Sequence, residues 1–203
     1  VNSAAEKCKD KIGDKWEPFS NFWRTTQLEY TWLRSLMGRH KNFWQITEDS
    51  LDKSMKVFQI DSSMRDELLN LYKILSPFKE VPETLKILKK KKFKLAILSN
   101  GTPDLLNELV IGNNLDNLFD DLFSIEDVGI YKPVSKVYDM PIKKYGIKKN
   151  EIAFLSANTW DVSGGGNYGY EAIWVNRNSY IFDNLDYKPR HEIKDLSGLL
   201  NKF

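Results

Sequence analysis

The chain has 203 residues with 41% apolar content, enough for one α/β domain and a smaller companion, each with a core of its own. Thirty basic residues against 28 acidic ones leave a net charge of +2, which speaks against nucleic acid or a membrane surface as an electrostatic partner. One cysteine, Cys8, excludes an internal disulfide, and no apolar run approaches the roughly 18 residues of a membrane span, so a reducing, cytoplasmic setting is expected.

The opening VNSAAEKCKD lacks an initiator Met and predicts a helix from its first residues, with Ser3 and Glu6 spaced as a capping box. In EPFSNFWRTTQLEYTWLRSLMG, residues Phe19, Phe22, Trp23, Thr26, Tyr30, Leu33 and Met37 recur every three or four positions between Pro18 and Gly38. That spacing predicts an amphipathic helix. Two more helices are predicted in NFWQITEDSLDKSMKVF and SSMRDELLNLYKIL, before Pro77 and Pro82 break the pattern. Residues 1–78 are therefore expected to form an all-helical domain.

From 79 to 203 the pattern alternates. The basic run at 89–92 reads as the solvated end of a helix feeding a strand. FKLAILSN suits a strand buried on both faces, PDLLNELVI a helix, and LFDDLFSIED contains a strand. PVSKVYDMPIKKYG predicts a helix, IAFLSA a strand, TWDVSGGGNYG a helix and EAIWVNR a strand. Strands alternating with helices imply an α/β core: a parallel sheet with helices on both faces, binding ligands beyond the carboxyl ends of its strands.

Two strand ends stand out by content. LAILSNGTPD places Ser99 and Asn100 where a strand stops, and AFLSANTWD places Ser156 and Asn158 at another such end, with Asp161 in the next helix's first turn. Between them, Lys132 and Tyr138 lie six residues apart around Pro133, which can start a helix. Each residue also has a plain structural use. Ser99, Asn100 and Asn158 serve equally as helix caps, Asp161 suits the helix dipole, Lys132 suits a solvated surface, and the Arg24 stem can cover apolar surface. Gly164, Gly166 and Gly169 satisfy G-x-G-x-x-G, but no strand leads directly into them, so close packing of a helix on the sheet is the expected role.

Taken together, QLEYTWLRSLMG, LAILSNGTPD, YKPVSKVY and FLSANTWDVSGGGNYG, in this order and at these separations, resemble the L-2-haloacid dehalogenases of the haloacid dehalogenase (HAD) superfamily. The likeness runs over nearly the whole chain. It implies a Rossmann-like parallel-sheet core (79–203) with a helical cap domain (1–78), and a hydrolysis in which an Asp carboxylate displaces halide from a small 2-haloacid. By resemblance, Ser99 holds the substrate carboxylate, Lys132 orients and charge-balances the nucleophile beside Tyr138, and Arg24 and Asn100 receive the halide. Ser156, Asn158 and Asp161 position the nucleophile and the hydrolytic water, while Leu28, Phe43 and Trp160 wall the reacting carbon. No cofactor is implied. Ser156 stands where metal-dependent relatives usually carry an Asp, and His40 and His191 lack ligand spacing, so no metal is expected.

The family's nucleophile lies in a D-x-x-x-T motif on the first core strand, and no such motif precedes Arg24. The sequence is therefore expected to be truncated before the nucleophile, to be missing its first core strand and to be inactive alone. That strand falls between those of LAILSN and AFLSA, which leaves two edges open to a homodimer contact or a strand-donating partner. A different class of function, a catalytically dead remnant that binds a small acid or a protein, stays open beside the hydrolase.

Overall fold

The computed structural model describes residues 7–203. The expected capping box of Ser3 and Glu6 lies outside the described residues. In chain order, α1 (Lys9–Ile12), α2 (Trp16–Leu36), α3 (Phe43–Phe58), α4 (Arg65–Lys73) and α5 (Val81–Lys90) lead to β1 (Ala96–Ser99). Then come α6 (Pro103–Gly112), β2 (Asp121–Ser124), α7 (Ser135–Tyr145), β3 (Ala153–Ser156), α8 (Thr159–Tyr168), β4 (Glu171–Val175) and β5 (His191–Ile193). The chain divides into two compact units, one of Val1–Ser76 with Asn100–Asp116 and one of Pro77–Ser99 with Asn117–Phe203.

In the helical unit, α2 buries Phe19, Trp23, Thr26, Gln27 and Thr31. The apolar stripe read from sequence holds through Thr26 and then departs: Leu33 and Met37 are 50% and 63% exposed. The buried face there is polar instead, because Gln27 Nε2 donates to Thr47 Oγ1 at 2.7 Å and to the Tyr72 hydroxyl at 3.3 Å. Hydrogen-bonded partners make such burial tolerable where bare amides would not be. Asn42 caps α3 by accepting from the Gln45 N–H at 2.8 Å, and Gln59 ends it in the left-handed region. Phe19, Trp23, Leu51, Leu68 and Leu105 share one core, the last contributed by α6.

In the sheet unit every strand pair is parallel. Ala96–Ser99 runs in register with Asp121–Ser124, Ala153–Ser156 with Glu171–Trp174, and Ile173–Val175 with His191–Ile193. The sheet comes in two pieces, β1–β2 and β3–β4–β5. β5, only three residues long, carried no periodic signal in the sequence. Pro82 lies within the first turn of α5, where its missing N–H costs nothing, and so does not end the helical pattern. The basic run beyond it is partly engaged: Lys89 Nζ donates to Asp120 at 2.9 Å and Lys91 Nζ to the Phe203 carbonyl at 2.6 Å.

Glycines let α8 lie close on the sheet. A Cβ on Gly165 would come within 2.5 Å of the Phe154 ring in β3, and one on Gly164 within 2.5 Å of the Tyr138 hydroxyl. This is the packing role expected for the glycine cluster. Helix α8 opens after β3 and a cap at Asn158, several residues ahead of the glycines.

Candidate active site

The carboxyl ends of the strands in the sheet unit carry the polar groups. Ser99 closes β1 in register with Ser124 at the close of β2, and Ser156 closes β3. Helices α7 and α8 then bring three side chains into one buried cluster. Lys132 Nζ donates to Asp161 Oδ2 at 3.1 Å, and the Tyr138 hydroxyl donates to Asp161 Oδ1 at 2.8 Å. Side chains of Lys132 and Asp161 are 7% and 6% exposed. Lys132 is thus no solvated surface residue.

The surroundings fix that cluster. Lys132 Nζ sits 5.1 Å from the centroid of Phe154, whose ring face attracts a cation. The Tyr170 hydroxyl donates to the Tyr138 carbonyl, and the Tyr138 ring is ringed by Phe154, Tyr168 and Tyr170 at 5.6–6.0 Å between centroids. Burial first, and then the Asp161 charge, push the Tyr138 phenol far above its ordinary value, so it stays a donor throughout the working pH range. The order of the elements explains the convergence: Lys132 lies in the segment between β2 and α7, three residues before the helix, Tyr138 lies one turn into α7, and Asp161 occupies the first turn of α8. Pro133 precedes α7 by two residues and does not itself open the helix.

Ser156 is buried, and its Oγ accepts from the Asn158 N–H at 3.1 Å, which shapes the turn from β3 into α8. Asn158 takes the N-cap position of α8 without a capping bond from its side chain. Trp160 is half-buried in the first turn of α8. In the helical unit, Arg24 and Leu28 stand one turn apart on α2, both half-buried. Arg24 acts on the buried Tyr72 phenol, lowering it against the larger upward push of burial. Phe43 opens α3 with its ring 6.5 Å from that of Tyr72. Asn100, half-buried, is the first residue of this unit after β1.

Two strand residues escaped the sequence reading. Phe154 is an inward residue of β3 that any apolar strand would carry, so only its contact with Lys132 distinguishes it. Ser124 is 2% exposed at the end of β2, where its side chain accepts from the Glu126 N–H at 3.2 Å. A Ser closing a strand was available as a signal, since it repeats the position of Ser99 and Ser156. Among the described residues, no group of three or more His, Cys, Asp or Glu side chains is arranged to hold a metal ion, and no helix is long and apolar enough to cross a membrane.

A family model for haloacid dehalogenase-like hydrolases matches residues 2–169. The (S)-2-haloacid dehalogenase of Pseudomonas fluorescens is 37% identical over 203 residues, covering 99% of this chain and 89% of that protein. The (S)-2-haloacid dehalogenase of Pseudomonas sp. strain YL is likewise 37% identical, over 100% of this chain and 88% of its own length. Among solved structures, L-2-haloacid dehalogenase from Xanthobacter autotrophicus with chloropropionic acid covalently bound superposes with a TM-score of 0.90 at 28% identity, covering 98% of this chain and 91% of that one. With a matched model over most of its length and relatives more than 30% identical along nearly all of it, the chain belongs to the haloacid dehalogenase-like hydrolases.

Proposed function

We propose that this chain supplies the scaffold of a hydrolytic (S)-2-haloacid dehalogenase. The observation that carries the reading is the buried Lys132–Asp161–Tyr138 cluster at the carboxyl ends of the strands. A carboxylate is a weak nucleophile in water and gains reactivity in a dry site beside a fixed cation. In the reaction, a carboxylate oxygen forms a bond to C2 of the haloacid as the carbon–halogen bond breaks, and halide departs with the bonding pair. Water then opens the ester, returning the carboxylate and releasing a 2-hydroxyacid and a proton.

In the sheet unit, Ser99 binds the substrate carboxylate, Lys132 balances and orients the nucleophile beside Tyr138, and Trp160 contributes apolar wall. Ser156, Asn158 and Asp161 position the nucleophile and the hydrolytic water. In the helical unit, Arg24 and Asn100 take the halide role, and Leu28 and Phe43 the apolar role. Asp161 is committed to two donors and Asp104 to the first turn of α6, so neither is cast as nucleophile. The attacking carboxylate of the family is the Asp of a D-x-x-x-T motif, which these 203 residues do not contain, and residues 1–78 serve as the helical cap domain and 79–203 as the core domain. The reaction calls for no metal or cofactor. Cys8, 1% exposed, suits a cytoplasmic setting.

The test is halide release from (S)-2-chloropropionate. The 203-residue chain alone is expected to release none, and the chain extended upstream by a D-x-x-x-T strand is expected to turn over. In that extended form Lys132→Ala lowers kcat by about 100- to 1000-fold, the scale of losing one preorganised electrostatic group. A folded, extended chain without halide release, or a Lys132→Ala variant at full rate, overturns the reading.

A further inference from the structure

Helix α7 has a weak turn where it carries Tyr138. Pro141 lies inside the helix, so the N–H that would serve the Val137 carbonyl is missing and the proline ring presses on that carbonyl. Yet Val137 and Tyr138 are each 0% exposed, and the Tyr138 hydroxyl meets Asp161 Oδ1 at 2.8 Å. The turn is held from outside α7.

Two tyrosine hydroxyls reach it. Tyr168 closes α8, Tyr170 leads into β4, and Gly169 between them takes φ +115° with its N–H on the Gly165 and Gly166 carbonyls. Such a left-handed turn favours glycine. From its two sides the tyrosines meet adjacent residues of α7: the Tyr168 hydroxyl donates to Asp139 Oδ1, and the Tyr170 hydroxyl donates to the Tyr138 carbonyl. The rings interlock as well, Tyr168 and Tyr170 edge to face at 5.2 Å between centroids and Tyr138 and Tyr170 likewise at 6.0 Å. Lys149 Nζ, 3.7 Å from the centroid of the Tyr168 ring, adds a cation to it. Burial first, and then the Asp139 bond, push the Tyr168 phenol up to about 12, so it stays a donor at neutral pH.

We propose that Tyr168 and Tyr170 are positioning residues: by gripping adjacent residues of α7 they set the Tyr138 hydroxyl on Asp161, and with it the alignment of the Lys132–Asp161 pair. They act only through Tyr138. Their part in turnover rests on the dehalogenase reading, whereas the grip on Tyr138 does not.

Phe at either position keeps the ring and its packing and removes only the hydroxyl. In the 203-residue chain the readout is exchange of the Tyr138 hydroxyl proton. It is followed by carbon-13 NMR of Cζ-labelled tyrosine in mixed light and heavy water, where a slowly exchanging hydroxyl gives a split line. Tyr170→Phe and Tyr168→Phe should each speed this exchange about 5- to 10-fold, the population change from one lost hydrogen bond, and the double variant should speed it further. Tyr145→Phe is the control, because it removes a 2.6 Å bond to Asp121 from the same helix without touching Tyr138 or Asp139. It should destabilise the chain to a similar extent and leave the Tyr138 signal as it is.

In the chain extended by a D-x-x-x-T strand, the double variant should lower kcat about 10-fold with KM unchanged, and Tyr145→Phe should not. Unchanged Tyr138 exchange in the double variant overturns the grip. Equal acceleration by Tyr145→Phe also overturns it, since that means general loosening of α7. An extended parent that releases halide while its double variant keeps full kcat overturns the part in turnover. An extended parent that releases none sinks the dehalogenase reading instead, and the exchange result still decides the grip.

Discussion

Asp161 answers to two donors at once, the Lys132 ammonium at 3.1 Å and the Tyr138 hydroxyl at 2.8 Å. Breaking a buried pair strands a charge, whereas replacing both members with apolar or neutral groups of similar size is often nearly neutral. Lys132→Met should therefore lose about 3–5 kcal/mol in urea unfolding, and the double variant Lys132→Met/Asp161→Asn should recover most of it. If the double variant is as unstable as the single one, the pair is not the source of the loss. Tyr138→Phe removes a hydrogen bond to a charged acceptor and should cost about 1.5–3 kcal/mol. The Tyr138 phenol is raised in the fold, so its contribution is fully present below its unfolded value near 10 and fades as pH climbs above it. Lys132 and Tyr138 were legible as candidates because they lie six residues apart around a proline. Their engagement with Asp161 was not, because 29 and 23 residues of chain separate them from it and only the α7–α8 arrangement brings them together.

At the scale of elements, α8 depends on the absence of side chains. An Ala for a Gly inside an exposed helix gains up to about 1 kcal/mol. At Gly165 the sign should reverse, since the added methyl would strike Phe154, and overpacking costs about 1–3 kcal/mol. Gly112, the last residue of α6 with nothing within 4 Å of an added Cβ, is the matched control and should be neutral or stabilised. A common shift of melting temperature in both variants would sink the account. The start of the β1–β2 ladder rests on Asp120, whose carboxylate accepts from the Leu95 N–H at 2.8 Å and from Lys89 at 2.9 Å. That backbone bond first, and then the lysines, hold its carboxyl down to about 2. The linked stability is present above the ordinary value near 3.8 and is lost as pH falls toward 2. Denaturant midpoints should show this acid loss in the parent and a smaller one in Asp120→Asn. The parallel strands were legible from short apolar runs such as AILS and AFLS. The three residues of β5 were not, and the polar burial of Gln27 inverted half of the stripe read along α2, because hydrogen-bond partners on α3 and α4 are invisible to periodicity.

At the scale of the molecule, the sheet unit carries two cavities of about 530 and 410 Å³ lined mainly by apolar residues, Phe123, Phe154 and Tyr170 in one and Leu85, Leu88 and Val175 in the other. The chain should therefore bind 8-anilinonaphthalene-1-sulfonate under native conditions while keeping its near-ultraviolet circular dichroism, which separates this behaviour from a molten globule. Dye binding without that spectrum would mean loose packing instead. Helix α6 has a different consequence. It follows β1 in sequence but belongs to the helical unit, where Leu105 joins the core of Trp23 and Leu68 and the Asn113 side chain brackets the Leu75 and Leu109 carbonyls at 2.8 and 2.7 Å. The helical unit is thus stitched from two stretches of gene. Recombination that swaps residues 1–76 between relatives without 100–116 would trade a matched inner surface for a foreign one, so viable chimaeras should inherit both stretches together.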